Sequence, residues 1–194
     1  MNLIDPLIRR HVALAGATLL AACAGGTALV AMPPADVPAA IAAPAGQVLE
    51  VAVAARGVQI YECRATPGSA AGTARPEWAF VAPEATLLDA QGRTVGQHGA
   101  GPHWTFDGGT PAAARFPGRV TGRVTGRAEA PRAGAIPWLR LDVAAGPGAG
   151  GSLGSIQRVN TIGGLAPATP CDTTVAGQRV RVPYTADYRF YAAR

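Results

Sequence analysis

Two imidazoles and a carboxylate lie within ten residues of one another, at His98, His103 and Asp107, with Trp104 between them. Imidazole and carboxylate groups are the usual ligands for zinc or copper, and histidine is also the commonest general base. On a single strand, a spacing of five would put the two histidines on opposite faces. The glycines and the proline between them also allow a loop that brings the side chains together. These four residues are therefore a candidate ligand or metal site, with ordinary hydrogen-bonded loop histidines as the alternative.

A second candidate polar cluster consists of Gln157, Arg158, Asn160 and Asp187. Strand alternation puts Arg158 and Asn160 on one face and Gln157 on the other. A buried arginine needs a carboxylate partner, which Asp187 or Glu62 could supply. The cluster is therefore either a structural arginine–carboxylate pair inside or at the rim of the domain, or part of a ligand site.

Two glycine-rich motifs suggest enzymes, but each lacks an essential part. Residues 146–151 match G-x-G-x-x-G, and residues 150–154 match G-x-S-x-G around Ser152. A dinucleotide site requires a helix that starts at the last glycine, whereas Pro147 and further glycines lead into another apparent strand. An α/β-hydrolase requires a histidine after the serine, and every histidine of this chain precedes Ser152. We therefore assign no catalytic residue and predict no cofactor.

The chain is mildly basic, with 17 basic and 12 acidic residues, a net charge of +5, and no lysine. Nucleic-acid binders usually concentrate more charge on one face and add stacking aromatics, so no nucleic-acid partner is expected. A tandem VTGR unit in residues 118–127 alternates arginine and threonine with valine and glycine, which predicts a strand. Its arginines could meet an anionic envelope component, or they could form a solvated face that protects an edge strand.

The N-terminal segment predicts export. Arg9 and Arg10 precede an uncharged apolar run at residues 12–22, as in a signal peptide. The sequence Leu-Ala-Ala-Cys that ends at Cys23 resembles a lipobox, which predicts cleavage before Cys23 and its lipidation. Residues 1–22 are then a lipoprotein signal peptide, 23–35 a flexible tether and 36–194 a single domain. Cleavage after an A-x-A pattern, which would give a secreted soluble protein, and an uncleaved anchor are the alternatives.

This leader places the protein in the cell envelope, as an outer-membrane lipoprotein that faces the periplasm and contacts the membrane through its lipid anchor. With Cys23 lipidated, Cys63 and Cys171 remain. Disulfides persist in oxidising compartments, so we predict a bond between these two residues, with two buried free thiols as the alternative. The oligomeric state does not follow from the sequence.

Apolar residues past the leader recur in short runs separated by turn residues, which is typical of strands. The runs lie at residues 48–53, 58–63, 78–82, 86–88, 104–106, 136–143, 156–162, 179–182 and 184–191. No window of twelve residues has a helical apolar stripe with caps, although residues 36–46 could hold a single turn. We predict an all-β domain of about eight to ten strands, either a β-sandwich or a small barrel.

The order of several segments resembles a family of exported bacterial and fungal proteins of unknown function, DUF3455. The similar segments lie at residues 57–63, 78–85, 96–108, 136–139, 156–167 and 182–191, together with Cys171. The resemblance implies a β-rich exported domain with two shared cysteines that match Cys63 and Cys171, and it implies no activity. This chain departs from the family in a shorter, glycine-rich stretch before Ile156 and in a longer VTGR region.

The sequence therefore favours a non-enzymatic envelope module that binds a small ligand or an envelope polymer. The rival hypothesis is a metal-binding protein or an exported enzyme, either metal-assisted or dependent on Asp and His. The segments at residues 98–107 and 157–161 are the first places to look for either site.

Overall fold

The computed structural model describes residues 36–65, 76–144 and 153–194, and these residues form one closed antiparallel barrel. Eight strands follow one another around the barrel in sequence order, and β1 closes it by pairing with both β2 and β8. The strands are β1 (Gln47–Ala65), β2 (Pro76–Leu88), β3 (Thr94–Gly99), β4 (His103–Phe106), β5 (Arg119–Ala128), β6 (Trp138–Val143), β7 (Leu153–Gly163) and β8 (Arg179–Ala193). The all-β prediction is confirmed, and the architecture is a barrel rather than a sandwich.

Several predicted runs are parts of longer strands. The runs at 48–53 and 58–63 both belong to β1, and those at 179–182 and 184–191 both belong to β8. Pro183 does not interrupt β8, because it lies one residue beyond the last residue that pairs with β7, Tyr184. No hydrogen bond to β7 is needed there, and a proline is tolerated where a neighbouring strand is missing.

Alternate residues of the strands fill the barrel with a single apolar core. Its largest members are Trp104, Phe116, Tyr184, Tyr188 and Phe190, all almost completely buried. Gly57 lets β1 approach β2 closely, since a Cβ at this position would overlap the carbonyl oxygen of Glu84. The absence of a side chain at Gly57 therefore sets how closely β1 and β2 can approach each other.

One end of the barrel is covered by a short helix, α1 (Pro111–Arg115), and we call it the helix end. Thr110 caps α1 by accepting a hydrogen bond from the Ala113 N–H at 3.1 Å, and Pro111 takes the first helical position. Just after the helix, Phe116 packs against Phe106 and Phe190 inside the barrel. The sequence does not predict α1, because five residues are too few to show a helical stripe.

Residues 36–46 form a strap across the outer face of β5–β7, with a single 3-10 turn at Ala39–Ile41, as the sequence predicted. Ile41 is completely buried and packs with Trp138 and Val159 in a second, smaller core. The Ile41 carbonyl also accepts a hydrogen bond of 2.7 Å from Nε2 of Gln157. The strap is therefore an integral part of the described fold.

At the opposite end of the barrel, the last residues of β1 pair with the first residues of β2 and β8. This part of the sheet projects beyond the points at which β3 and β7 end. The predicted disulfide is present there: Cys63 is bonded to Cys171, 108 residues away. Nearby, Nε1 of Trp78 donates to the carbonyl of Thr169 at 2.9 Å. Both contacts attach the segment between β7 and β8 to this end, which we call the disulfide end.

The VTGR region forms β5, as predicted, but the expectation of an edge strand is wrong. β5 pairs with β4 on one side and β6 on the other, because the barrel is closed. A bulge between Val124 and Gly126 also shifts the alternation, so that Val124 is 47% exposed. The three arginines, Arg119, Arg123 and Arg127, lie on the exposed surface.

Some predictions concern residues outside the described ranges. These are the signal peptide at 1–22, Cys23, the tether at 23–35 and most of the glycine-rich stretch around Ser152. Among the described residues, no helix is both long enough and apolar enough to span a membrane.

Candidate functional site

The predicted histidine site does not assemble, because its members lie on different sides of one hairpin. In the β3–β4 pairing, His98 lies opposite Trp104 and Gly99 lies opposite His103. His98 points into the barrel and is buried, whereas His103 is half-buried on the opposite face and Asp107 lies in the loop before α1. No group of three His, Cys, Asp or Glu side chains suited to a metal ion occurs in the described parts of the chain.

His98 is instead a buried, neutral member of the core. Its ring stacks on Trp104, with centroids 4.6 Å apart, and lies 4.8 Å from the ring of Tyr188. Its Nδ1 lies 2.8 Å from the carbonyl oxygen of His103, which can only accept, so Nδ1 carries the proton and Nε2 carries a lone pair. Burial lowers the pKa of His98 to about 4, and the imidazole is therefore uncharged near neutral pH.

The expected carboxylate partner of Arg158 is also a wrong prediction. Nε and Nη2 of Arg158 both donate to the carbonyl oxygen of Pro137, at 3.2 and 2.8 Å. Asp187 accepts from Asn160 at 2.6 Å, and Glu62 accepts from Arg179 at 2.7 Å. Asp187 alternates with inward-facing residues of β8 and points away from the barrel interior, which explains why it does not reach Arg158.

Gln157 and Arg158 lie on opposite faces of β7, as the alternation predicted, but Asn160 does not share the face of Arg158, because β7 is irregular between Val159 and Ile162. Gln157 lies on the outer face, where it donates to the strap and accepts from the Tyr191 hydroxyl at 2.8 Å. Arg158 lies on the inner face near the disulfide end. Asn160 pairs with Asp187, and it is the one residue other than glycine with a positive φ, 52°, in the described ranges.

Three tyrosines surround the guanidinium of Arg158, and we call this group, with Gln59 and His98, the arginine–tyrosine cluster. The tyrosines are Tyr61, Tyr184 and Tyr188. The hydroxyls of Tyr184 and Tyr188 are 3.4 Å apart, and the Tyr61 hydroxyl donates to the carbonyl of Gly164 at 2.6 Å. Burial raises the pKa of all three phenols, and the charge of Arg158 opposes this rise in each case.

The alternation of β8 is consistent with Tyr184 and Tyr188 lying on one face, since they are four residues apart. Nothing in the sequence indicates that this face meets Arg158 and His98, because their contact depends on the order of strands around the barrel. Of the predicted site residues, His98, Trp104 and Arg158 thus face the barrel interior. His103, Asp107 and Gln157 lie outside it.

A separate concavity of about 380 Å³ opens at the helix end, and we call it the helix-end cleft. Its apolar wall consists of Leu49, Val51, Val53, Val95, Pro111 and Ala112. The sequence does not predict the helix-end cleft, because three segments that are far apart in the chain form it: the start of β1, the β2–β3 turn and the start of α1.

The charged groups at the rim of the helix-end cleft are engaged in ion pairs. Glu50 accepts from Nε and Nη2 of Arg115, at 2.8 and 2.7 Å. Asp89 pairs with Arg93 at 2.7 Å and also accepts from the backbone N–H groups of Gln91 and Arg93, each at 2.9 Å. The first pair attaches the end of α1 to β1, and the second stabilises the β2–β3 turn.

Comparison with known proteins identifies one similarity. A family described as "Protein of unknown function (DUF3455)" matches residues 44–192. No curated protein and no solved structure matches the chain.

Proposed function

The chain belongs to the DUF3455 family, and from that premise, which carries no activity with it, we propose that the barrel is a binding module for a small, uncharged and mainly apolar molecule held in the helix-end cleft. The single observation that carries this proposal is the concavity of about 380 Å³ at that end. Its volume falls within the roughly 300–1,000 Å³ that is usual for small-molecule sites.

The chemistry of the lining supports an uncharged ligand. The wall is aliphatic, and both acidic side chains at the rim already have arginine partners. A charged ligand would have to displace one of these pairs or lose its hydration without compensation, and either event costs free energy. A neutral apolar ligand gains roughly 25 cal/mol for each Å² of apolar surface that it removes from water.

Binding is favoured over catalysis at this cleft because of the residues that line it. Its described lining contains neither histidine nor cysteine, which are the commonest base and the most reactive nucleophile in enzymes. The aspartate and glutamate are held by ion pairs at the rim and do not point freely into the space.

The proposal includes the location predicted from the leader, an outer-membrane lipoprotein anchored through Cys23. The support is the lipobox-like sequence that ends at Cys23. Mass spectrometry of the natively exported protein tests it: we expect a mature chain that begins at lipidated Cys23. A mature chain that begins after residue 24 and carries no lipid would contradict this part of the proposal.

The neutral fluorescent probe N-phenyl-1-naphthylamine tests the cleft. We expect its fluorescence to rise saturably with the wild-type protein. Val51→Trp, which fills the cleft from β1, should weaken the binding at least tenfold. Val124→Trp adds the same bulk at an exposed position on β5, remote from the cleft, and serves as the matched control.

Circular dichroism would establish that both variants fold. Equal binding by a folded Val51→Trp variant and the wild type, or no saturable binding by the wild type, would overturn the proposal.

A further inference from the structure

The guanidinium of Arg158 carries a charge that no described carboxylate balances. Arg158 is half-buried on the inner face of β7, where Nε and Nη2 donate to the Pro137 carbonyl and the guanidinium also interacts with the Tyr188 hydroxyl. Within the described ranges it forms no salt bridge, since the five present join other residues. A partly buried positive charge without a counter-ion is costly, and an incoming anion would relieve that cost.

The neighbours of Arg158 do not supply the missing negative charge. His98 is neutral, and Tyr61, Tyr184 and Tyr188 stay protonated because burial raises the pKa of their phenols. The nearest predicted carboxylate partners, Asp187 and Glu62, are held by Asn160 and Arg179. The cluster therefore has a net charge of about +1 near neutral pH.

Two donor groups in the cluster have unused hydrogen-bonding capacity. Arg158 has five N–H donors, of which two point to the Pro137 carbonyl and one interacts with the Tyr188 hydroxyl, so its guanidinium has donors left for a further acceptor. The amide nitrogen of Gln59 is buried without a partner, in a side chain whose residue is 2% exposed and which lies beside the Tyr184 hydroxyl. Unpartnered buried donors are rare in native proteins, and each one indicates a missing acceptor.

The donors and the charge together fit one class of ligand. A carboxylate or a phosphate accepts hydrogen bonds through every oxygen, and arginine binds both through charge-assisted hydrogen bonds. We propose that the arginine–tyrosine cluster is a site for a small oxyanion, bound by the guanidinium of Arg158 and by the Gln59 amide at the disulfide end of the barrel. This site is separate from the helix-end cleft and does not depend on the function proposed for that cleft.

An aromatic side chain flanks the approach to the cluster. Phe80 is opposite Tyr61 in the β1–β2 pairing, their ring centroids are 5.8 Å apart, and Phe80 is 49% exposed. Such an exposed ring beside Tyr61 offers an apolar surface next to the cluster. An anion attached to a planar ring is therefore expected to bind more tightly than the bare anion.

Isothermal titration of the oxidised full chain with inorganic phosphate, acetate and benzoate, at constant ionic strength in chloride, tests the proposal. We expect saturable binding of at least one of these anions, with benzoate tighter than acetate if the ligand is a carboxylate. Phosphate binding without carboxylate binding would assign the site to phosphate or phosphoryl groups. The absence of saturable binding by all three anions would overturn the proposal.

Arg158→Gln should weaken the binding at least tenfold, and Arg123→Gln, which removes an exposed arginine of β5, is the matched control. Because Arg158 also holds the Pro137 carbonyl, its loss could disturb the fold. Gln59→Leu provides the second test, since it removes the free amide and leaves the contact with Pro137 intact. We expect Gln59→Leu to weaken binding about threefold or more, and unchanged affinity in both folded variants would refute the site.

Discussion

His98 makes the stability of the barrel depend on pH below neutrality. Burial lowers the pKa of this imidazole from its ordinary 6.5 to about 4 in the folded protein. Between these values the unfolded chain binds a proton that the folded chain does not, so folding is favoured less as the pH falls. The contribution of His98 to stability is complete above about pH 6.5 and is lost as the pH decreases toward 4.

The size of this loss follows from the interval between the two pKa values. At about 1.4 kcal/mol for each unit of pKa, the interval from 6.5 to about 4 corresponds to about 3–4 kcal/mol, and most of it disappears between about pH 7.5 and 4.5. This is a large part of the roughly 5–15 kcal/mol that stabilises a typical domain. A moderately acidic medium is therefore expected to weaken the barrel measurably through one buried imidazole.

Urea unfolding at several pH values, followed by circular dichroism with the disulfide intact, measures the effect. Other groups titrate in the same range, so the decisive quantity is the difference between the wild type and His98→Asn. Asparagine keeps a donor near the His103 carbonyl and cannot be protonated in this range. The variant loses the stacking on Trp104 at every pH, but its unfolding free energy should fall by about 2–3 kcal/mol less than that of the wild type between about pH 7.5 and 4.5.

His103→Asn is the matched control, because it removes the other imidazole of the same hairpin, which is only half-buried and points away from the barrel interior. This variant should keep the pH dependence of the wild type. If His98→Asn instead loses as much stability on acidification as the wild type does, the buried neutral imidazole is not the cause.

Three further predictions concern the fold. Replacement of Cys63 and Cys171 by serine opens a loop of 108 residues and should lower the unfolding free energy by up to about 4.7 kcal/mol, seen as a lower urea midpoint; an unchanged midpoint would contradict it. Gly57→Ala should lower the unfolding free energy by about 1–3 kcal/mol, because the added Cβ overlaps a carbonyl of β2. Gly108→Ala places its Cβ in open space and should be nearly neutral in the same assay. Equal effects of the two substitutions would refute the close approach of β1 and β2 as the cause. Ile41→Ala should cost about 2–5 kcal/mol and should increase proteolytic cleavage within the strap; resistance equal to that of the wild type would show that the strap is held by other contacts.

Local pattern was sufficient for much of the secondary structure. The period of two along residues 118–127 and 156–162 predicted strands that are present, since side chains of a strand alternate whatever the strand pairs with. The single turn in residues 36–46 is also present. The disulfide was predictable because only two cysteines remained beyond the leader, and a bond needs no further information once its two partners are known.

The sequence was less informative about strand ends and short elements. Two pairs of runs merged into β1 and β8, because strand pairing keeps the turn-like residues of β1 extended and because Pro183 lies beyond the last residue of β8 that pairs with β7. The helix α1 and the bulge that exposes Val124 were not predictable, since each depends on how a few residues pack against the closed barrel.

The sequence by itself determined an all-β domain, the strand faces and the cysteine pair, because these follow from alternation and from residue counts. Only the tertiary structure decided that the sheet closes by pairing β1 with β8, that His98 and His103 separate, that Arg158 faces tyrosines rather than a carboxylate, and that a cleft forms beside α1. The physical reason is that alternation specifies which side of a strand a residue occupies. Which residues meet on that side depends on strand order, register and bulges, and these are set by contacts between segments far apart in the chain.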